Sequence, residues 1–78
     1  YDAVISGVTS FGLFAELPNT VEGFIPIESL YGEYSYDADR FRLVGRADTY
    51  TIGESIRIKV TDVDFYRRRA EFQLLRKL

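Results

Sequence analysis

Ser10-Phe11-Gly12-Leu13-Phe14-Ala15-Glu16-Leu17 is the stretch from which the fold is read. Leu13, Ala15 and Leu17 alternate with Phe14 and Glu16. That period of two marks a strand with one buried face, and it leaves Phe14 on the outer one. Phe11 and Phe14 stand three apart, so a regular strand would send their rings to opposite faces. A bulge or bend at Gly12 would aim both the same way. The rings then either form an exposed stacking surface or belong to the core.

Working outward, the same alternation recurs along the chain. Ala3 to Thr9 is short and β-branched and reads as a strand, with Gly7 marking a bend or a close backbone approach. Pro18-Asn19-Thr20 is a turn, and Val21 to Ile27 a third strand ending near Pro26. Glu28-Ser29-Leu30 suits a single helical turn. Ser55 to Val63 is the clearest strand, with Ile56, Ile58 and Val60 inward and Arg57, Lys59 and Thr61 outward. Its alternation slips at Asp62-Val63-Asp64, a sign of a bulge or a strand end. Phe65-Tyr66-Arg67-Arg68 makes a hairpin connection. Arg69 to Leu75 alternates again, with Ala70, Phe72 and Leu74 inward, and Arg76-Lys77-Leu78 reads as a frayed end.

Residues 31–54 hold Tyr31, Tyr34 and Tyr36, then the alternation Arg40-Phe41-Arg42-Leu43, then Tyr50-Thr51-Ile52-Gly53-Glu54 closing on a turn. So many aromatic and aliphatic residues do not suit a disordered loop. The expectation is an ordered insertion with one or two short strands, its tyrosines forming core and rim. The fold class is all-β: a small closed barrel of five strands, with the insertion between strands 3 and 4. Closure removes the exposed edges of an open sheet.

Composition bounds the chemistry. The chain has 78 residues, one domain, and one this short buries only about 60–65% of its unfolded surface. With no cysteine and no histidine it lacks disulfides, thiolate metal sites and the commonest general base. The pairs Asp37/Asp39 and Asp62/Asp64 lack the companions a catalytic or metal site needs, so turn and strand-end roles are expected, and catalysis by this domain is not. No apolar run approaches the roughly 18 residues of a membrane span, so no membrane partner is expected. The absence of methionine and the Tyr-Asp opening suggest one domain, residues 1–78, excised from a longer protein.

Net charge is −2, but it is divided unevenly. Residues 1–39 carry seven acids and no base, and residues 40–78 carry all ten bases against five acids. Arg57 and Lys59 share one strand face, and Arg67, Arg68 and Arg69 crowd one hairpin. Either set suits phosphate contacts, and either also suits an ordinary solvated surface.

Phe11 to Leu17, then Glu22-Gly23-Phe24-Ile25-Pro26-Ile27, then Gly53, Val63-Asp64, a basic hairpin and a last strand resemble the S1 RNA-binding domain, an OB-fold barrel. Tyr34-Ser35-Tyr36-Asp37, Leu43-Val44-Gly45 and Tyr50 to Glu54 are similar to the carboxy-terminal S1 domain of the ribonuclease R type, in the RNase II/R exoribonuclease family. The resemblance implies that Phe11 and Phe14 stack bases, and that Asp64 with Arg68 or Arg69 makes polar RNA contacts. Arg57 and Lys59 would add phosphate contacts. Pro26 stands where the family often has a histidine, and Glu28 where it often has a serine, and each departure removes a donor.

The function so implied is binding of single-stranded RNA with little sequence preference. The domain would capture substrate for a cytoplasmic 3′-to-5′ exoribonuclease. Its partners would be the RNA and the catalytic and cold-shock-type domains of the parent chain, with the domain itself monomeric. No cofactor is expected here, and Mg²⁺ would belong to the parent's catalytic domain. The competing reading is a small β-barrel that contacts protein or ribosome and binds RNA weakly or not at all.

Overall fold

Ile5, Leu13, Ile25, Ile56, Ile58 and Phe72 are fully or almost fully buried, and their strands wrap around them. The computed structural model describes residues 1–30, 32–46, 48–64, 66–67 and 69–78. Five strands form a closed barrel: β1 (Asp2–Thr9), β2 (Gly12–Glu16), β3 (Glu22–Pro26), β7 (Ser55–Asp64) and β8 (Arg69–Lys77). Their order around the barrel is β1-β2-β3-β8-β7, closing back on β1. All neighbours run antiparallel except β3 and β8, which are parallel. Inward residues come at every second position, as the sequence alternation requires.

Two glycines let this small barrel close. A Cβ at Gly23 would lie 2.5 Å from the Phe72 ring, so only glycine leaves room for the largest core side chain. A Cβ at Gly12 would collide with the Ile25 carbonyl oxygen and the Phe24 ring. The register also slips, between Ile5 and Gly7 on β1 and between Val60 and Asp62 on β7. The second slip is where the sequence alternation fails; the first lies at the glycine expected to bend β1. Gly12 itself carries no bulge.

Between β3 and β7 lies a separate three-stranded sheet, β4 (Tyr34–Asp37), β5 (Arg42–Gly45) and β6 (Thr49–Thr51), reached through a 3₁₀ turn at Ile27–Ser29. It has one strand more than the one or two expected. β6 is only three residues long, too short to show alternation, and it is held by Tyr50, which is buried. The inner face of this sheet carries Leu43, fully buried, and Tyr50, both in the same apolar cluster as the barrel residues. Tyr34 packs on Tyr50 with ring centroids 5.7 Å apart and lies over Gly45. Tyr36 stays on the rim, and Tyr31 lies outside the described residues.

Arg40-Phe41 does not continue the alternation of Arg42-Leu43. Both residues lie in the β4–β5 turn, where Asp37 accepts the amide protons of Asp39 and Arg40, and Phe41 is exposed at φ 52°. Arg42 instead pairs with Asp37 at 3.2 Å.

The insertion is fastened to the barrel in two places. Ile5 on β1 exchanges backbone hydrogen bonds with Gly53 and Glu54, at 2.8 and 2.9 Å. The Lys77 ammonium reaches the Glu54 carboxylate at 2.8 Å, donates to the Thr49 carbonyl and stands 5.2 Å from the centre of the Tyr50 ring. The C-terminal residues are therefore not frayed: β8 runs to Lys77, and Leu78 still donates to the Ser55 carbonyl. Burial alone would raise the Glu54 pKa, but hydrogen bonds from Lys77 and Thr51 outweigh it and hold the carboxyl below its ordinary value. Burial, with Tyr34 beside it, pushes the Tyr50 hydroxyl far up, so it remains protonated.

Candidate nucleic-acid interface

The outward positions of β2 and β3 carry an aromatic platform. β1 and β2 are joined by the two-residue turn Ser10-Phe11. The Thr9 side chain shapes that turn, accepting the Phe11 amide proton and donating to the Gly12 carbonyl. Phe11 therefore lies off the strand and escapes its alternation. That, rather than a bend at Gly12, brings it to the same side as Phe14. A bond from the Ile27 amide to the Phe11 carbonyl, 2.8 Å long, pins the turn against the end of β3.

Both rings meet a third, which reading along the sequence did not single out. Phe24 pairs directly with Phe14 across β2 and β3, and their ring centroids are 5.1 Å apart. Phe11 also meets Phe24, with ring centroids 6.3 Å apart. Phe24 is thus the centre of the platform. Its signal was present: it stands between two buried positions, Gly23 and Ile25, so strand alternation sends it outward. Only the β2–β3 register, a long-range fact, shows that it meets Phe14. Phe14 also roofs Gly7, where an added Cβ would come within 3.3 Å of its ring. Phe11 is 61% exposed and has no such packing duty.

The platform forms one wall of an open groove whose other side holds Asp64, Arg69 and Glu71, at the β7–β8 end of the barrel. The structure thus brings Phe11, Phe14, Asp64 and Arg69 together. Arg68 lies outside the described residues. Arg57 and Lys59 point outward farther along β7 and do not line the groove, and Arg57 is paired with Asp2 at 3.0 Å.

Charge in the groove is mixed. The Glu22 carboxylate accepts the Ser6 hydroxyl at 2.7 Å. One Asp64 oxygen accepts the amide protons of Tyr66 and Arg67, both at 3.1 Å, and so shapes the hairpin turn that carries the arginines. Arg69 makes no ion pair with a described residue and is exposed, which leaves its guanidinium open to an anion. Pro26 ends β3 opposite Gly12, and Glu28 is exposed in the 3₁₀ turn that follows. Among the described residues no group of three or more aspartate or glutamate side chains is placed to hold a metal.

An apolar, ring-lined surface with an exposed guanidinium beside it suits a ligand that is flat in one part and anionic in another. The comparisons with known proteins agree with that chemistry. The family model of the S1 RNA binding domain matches residues 1–74. Ribonuclease R 1 of Lactococcus lactis is 38% identical over 96% of this chain, and ribonuclease R of Aquifex aeolicus 39% over 96%. The chain spans 10% and 11% of their lengths, respectively. RNase R of Mycoplasma genitalium, solved in its apo form and in complex with ribose methylated single-stranded RNA, superposes with a TM-score of 0.86. It is 29% identical, over 96% of this chain and 12% of that one. With the barrel, the outward aromatics and a family match over nearly its whole length, this chain belongs to the S1 RNA binding domain family.

Proposed function

We propose that this domain binds single-stranded RNA, stacking bases on the Phe11–Phe24–Phe14 platform while Arg69 and the neighbouring hairpin arginines hold phosphates. The observation that carries the reading is the three-ring surface opening onto a groove with an arginine that makes no ion pair among the described residues. Each base has a π-face, so stacking is worth about 1–3 kcal/mol per base with little regard to sequence. The ribonuclease R relatives, and the one solved with single-stranded RNA, support the same ligand. In this reading the domain captures substrate for the catalytic domain of a longer 3′-to-5′ exoribonuclease of the cytoplasm; that it spans only 10% and 11% of its ribonuclease R relatives supports the longer chain.

Hydrolysis, and the Mg²⁺ it would need, belongs in that reading to the catalytic domain, beside a cold-shock-type domain. Of the groove carboxylates, Glu22 accepts a hydroxyl and Asp64 two turn amides, while Glu71 has no side-chain partner among the described residues. No helix among the described residues is long and apolar enough to cross a membrane.

The acid excess in the groove favours one competing reading, a barrel that contacts protein or ribosome instead. Titration of single-stranded RNA at several salt concentrations separates the two. Two or three phosphate contacts give a slope of log K against log salt of about −1.4 to −2.1. No binding at low salt would leave the protein-contact reading standing.

A further inference from the structure

Phe14, Phe24 and Glu71 lie in one register row across β2, β3 and β8, and the row continues to Asp62 on β7. Neighbouring strands are about 4.8 Å apart, so Glu71 sits beside Phe24, the central ring of the platform, and both line the groove. Of the groove carboxylates it is the one with no side-chain partner among the described residues. Its own backbone is held, because its carbonyl accepts the Thr61 hydroxyl at 2.9 Å. Asp62 opposes it directly on β7, where like charges repel, so β7 offers the Glu71 carboxylate no partner in that row.

We propose that Glu71 reads the edge of the stacked base and biases the domain towards bases that carry an amino group. The inference rests on the RNA-binding reading and adds a modest preference to it. A carboxylate only accepts hydrogen bonds. Cytosine offers its N4 amino group, adenine its N6 amino group, and guanine both N1–H and the N2 amino group. Uracil has no amino group, and its single N3–H lies between two carbonyl oxygens that repel a carboxylate. Glu71 therefore selects against uridine. Other groove acids do not duplicate the effect, since Glu22 is engaged by Ser6 and Asp64 by its turn.

The test compares oligocytidine with oligouridine of equal length at pH 7.5, measured by fluorescence anisotropy on the wild-type domain and on Glu71→Gln. The two ligands carry the same phosphates and rings of equal size, so their affinity ratio isolates the base edge. The wild type should bind oligocytidine about fivefold more tightly, the order of one solvated hydrogen bond to a charged acceptor. In Glu71→Gln the ratio should fall towards one, because the amide also donates to uracil O4. The substitution is isosteric at an exposed site, and a thermal melt checks that the fold is kept. Binding of both ligands with a ratio of one in the wild type overturns the inference and leaves the RNA reading intact. A fivefold ratio that survives Glu71→Gln removes Glu71 as its source. Absence of binding to either ligand overturns the inference together with the reading beneath it.

Discussion

The barrel and the inserted β4–β6 sheet share one apolar cluster but are held in different ways. The barrel closes its own hydrogen-bond ladder and buries Phe72 among residues from several of its strands. The inserted sheet has strands of three or four residues and an outer face bearing Ser35, Arg42 and Thr49, and it leans on the barrel through Leu43 and Tyr50. An insertion of about two dozen residues is too small to stand alone in water. Each region also presents an exposed phenylalanine, Phe11 at 61% and Phe41 at 60%. Phe11 is the flank of a three-ring platform on a groove, whereas no described ring packs on Phe41. Exposure alone does not make a binding residue; the neighbours that the fold supplies do.

The largest expected effect tests the energetic half of that contrast. Phe72→Ala should cost about 3–5 kcal/mol, enough to unfold much of so small a domain. Leu43→Ala should cost about 2–3 kcal/mol, near the low end for a buried leucine, because a docked sheet can settle into the space. Both are read from denaturant midpoints. Equal losses would mean that the insertion is as integral to the core as β8.

A smaller effect concerns the fastening. Lys77→Ala removes the ion pair to Glu54 and the bond to the Thr49 carbonyl, and should cost about 1 kcal/mol. Amide hydrogen exchange should quicken in β5 and β6 while β2 and β3 stay protected; a uniform change would contradict a local clamp. The pH dependence follows from Glu54, whose pKa in the folded state lies below its ordinary value of 4.5. Its stabilising contribution is complete above that value and is lost as the pH falls through the folded one. Glu54→Gln should therefore flatten the acid limb of a stability–pH curve and change its upper range little in shape.

Much of the barrel was legible in the chain. Leu13 and Ala15, Ile56 and Ile58, and Ala70 and Phe72 alternate with exposed or half-exposed partners, and burial on one face imposes that period directly. The rest depended on contacts between distant residues. β6 is shorter than any window in which alternation can be counted. Lys77 reads as part of a charged, loose end until Glu54 and Tyr50 are seen across from it. The direction of Phe11 hung on a bend at Gly12, and the Thr9 hydroxyl instead holds the residue in the turn. Phe24 was visible as an outward residue, but its place at the centre of the platform exists only once β2 and β3 are paired.

The central claim is that the barrel's aromatic platform, and not exposed aromatic surface in general, takes the RNA. Phe11→Ala and Phe41→Ala remove rings of nearly equal exposure from the two regions, and neither ring is part of the core. In parallel titrations with single-stranded RNA, Phe11→Ala should lose about 1–3 kcal/mol of binding free energy and keep its thermal melt. Phe41→Ala should bind as the wild type does. Equal losses in the two variants, or a loss confined to Phe41→Ala, would contradict the account.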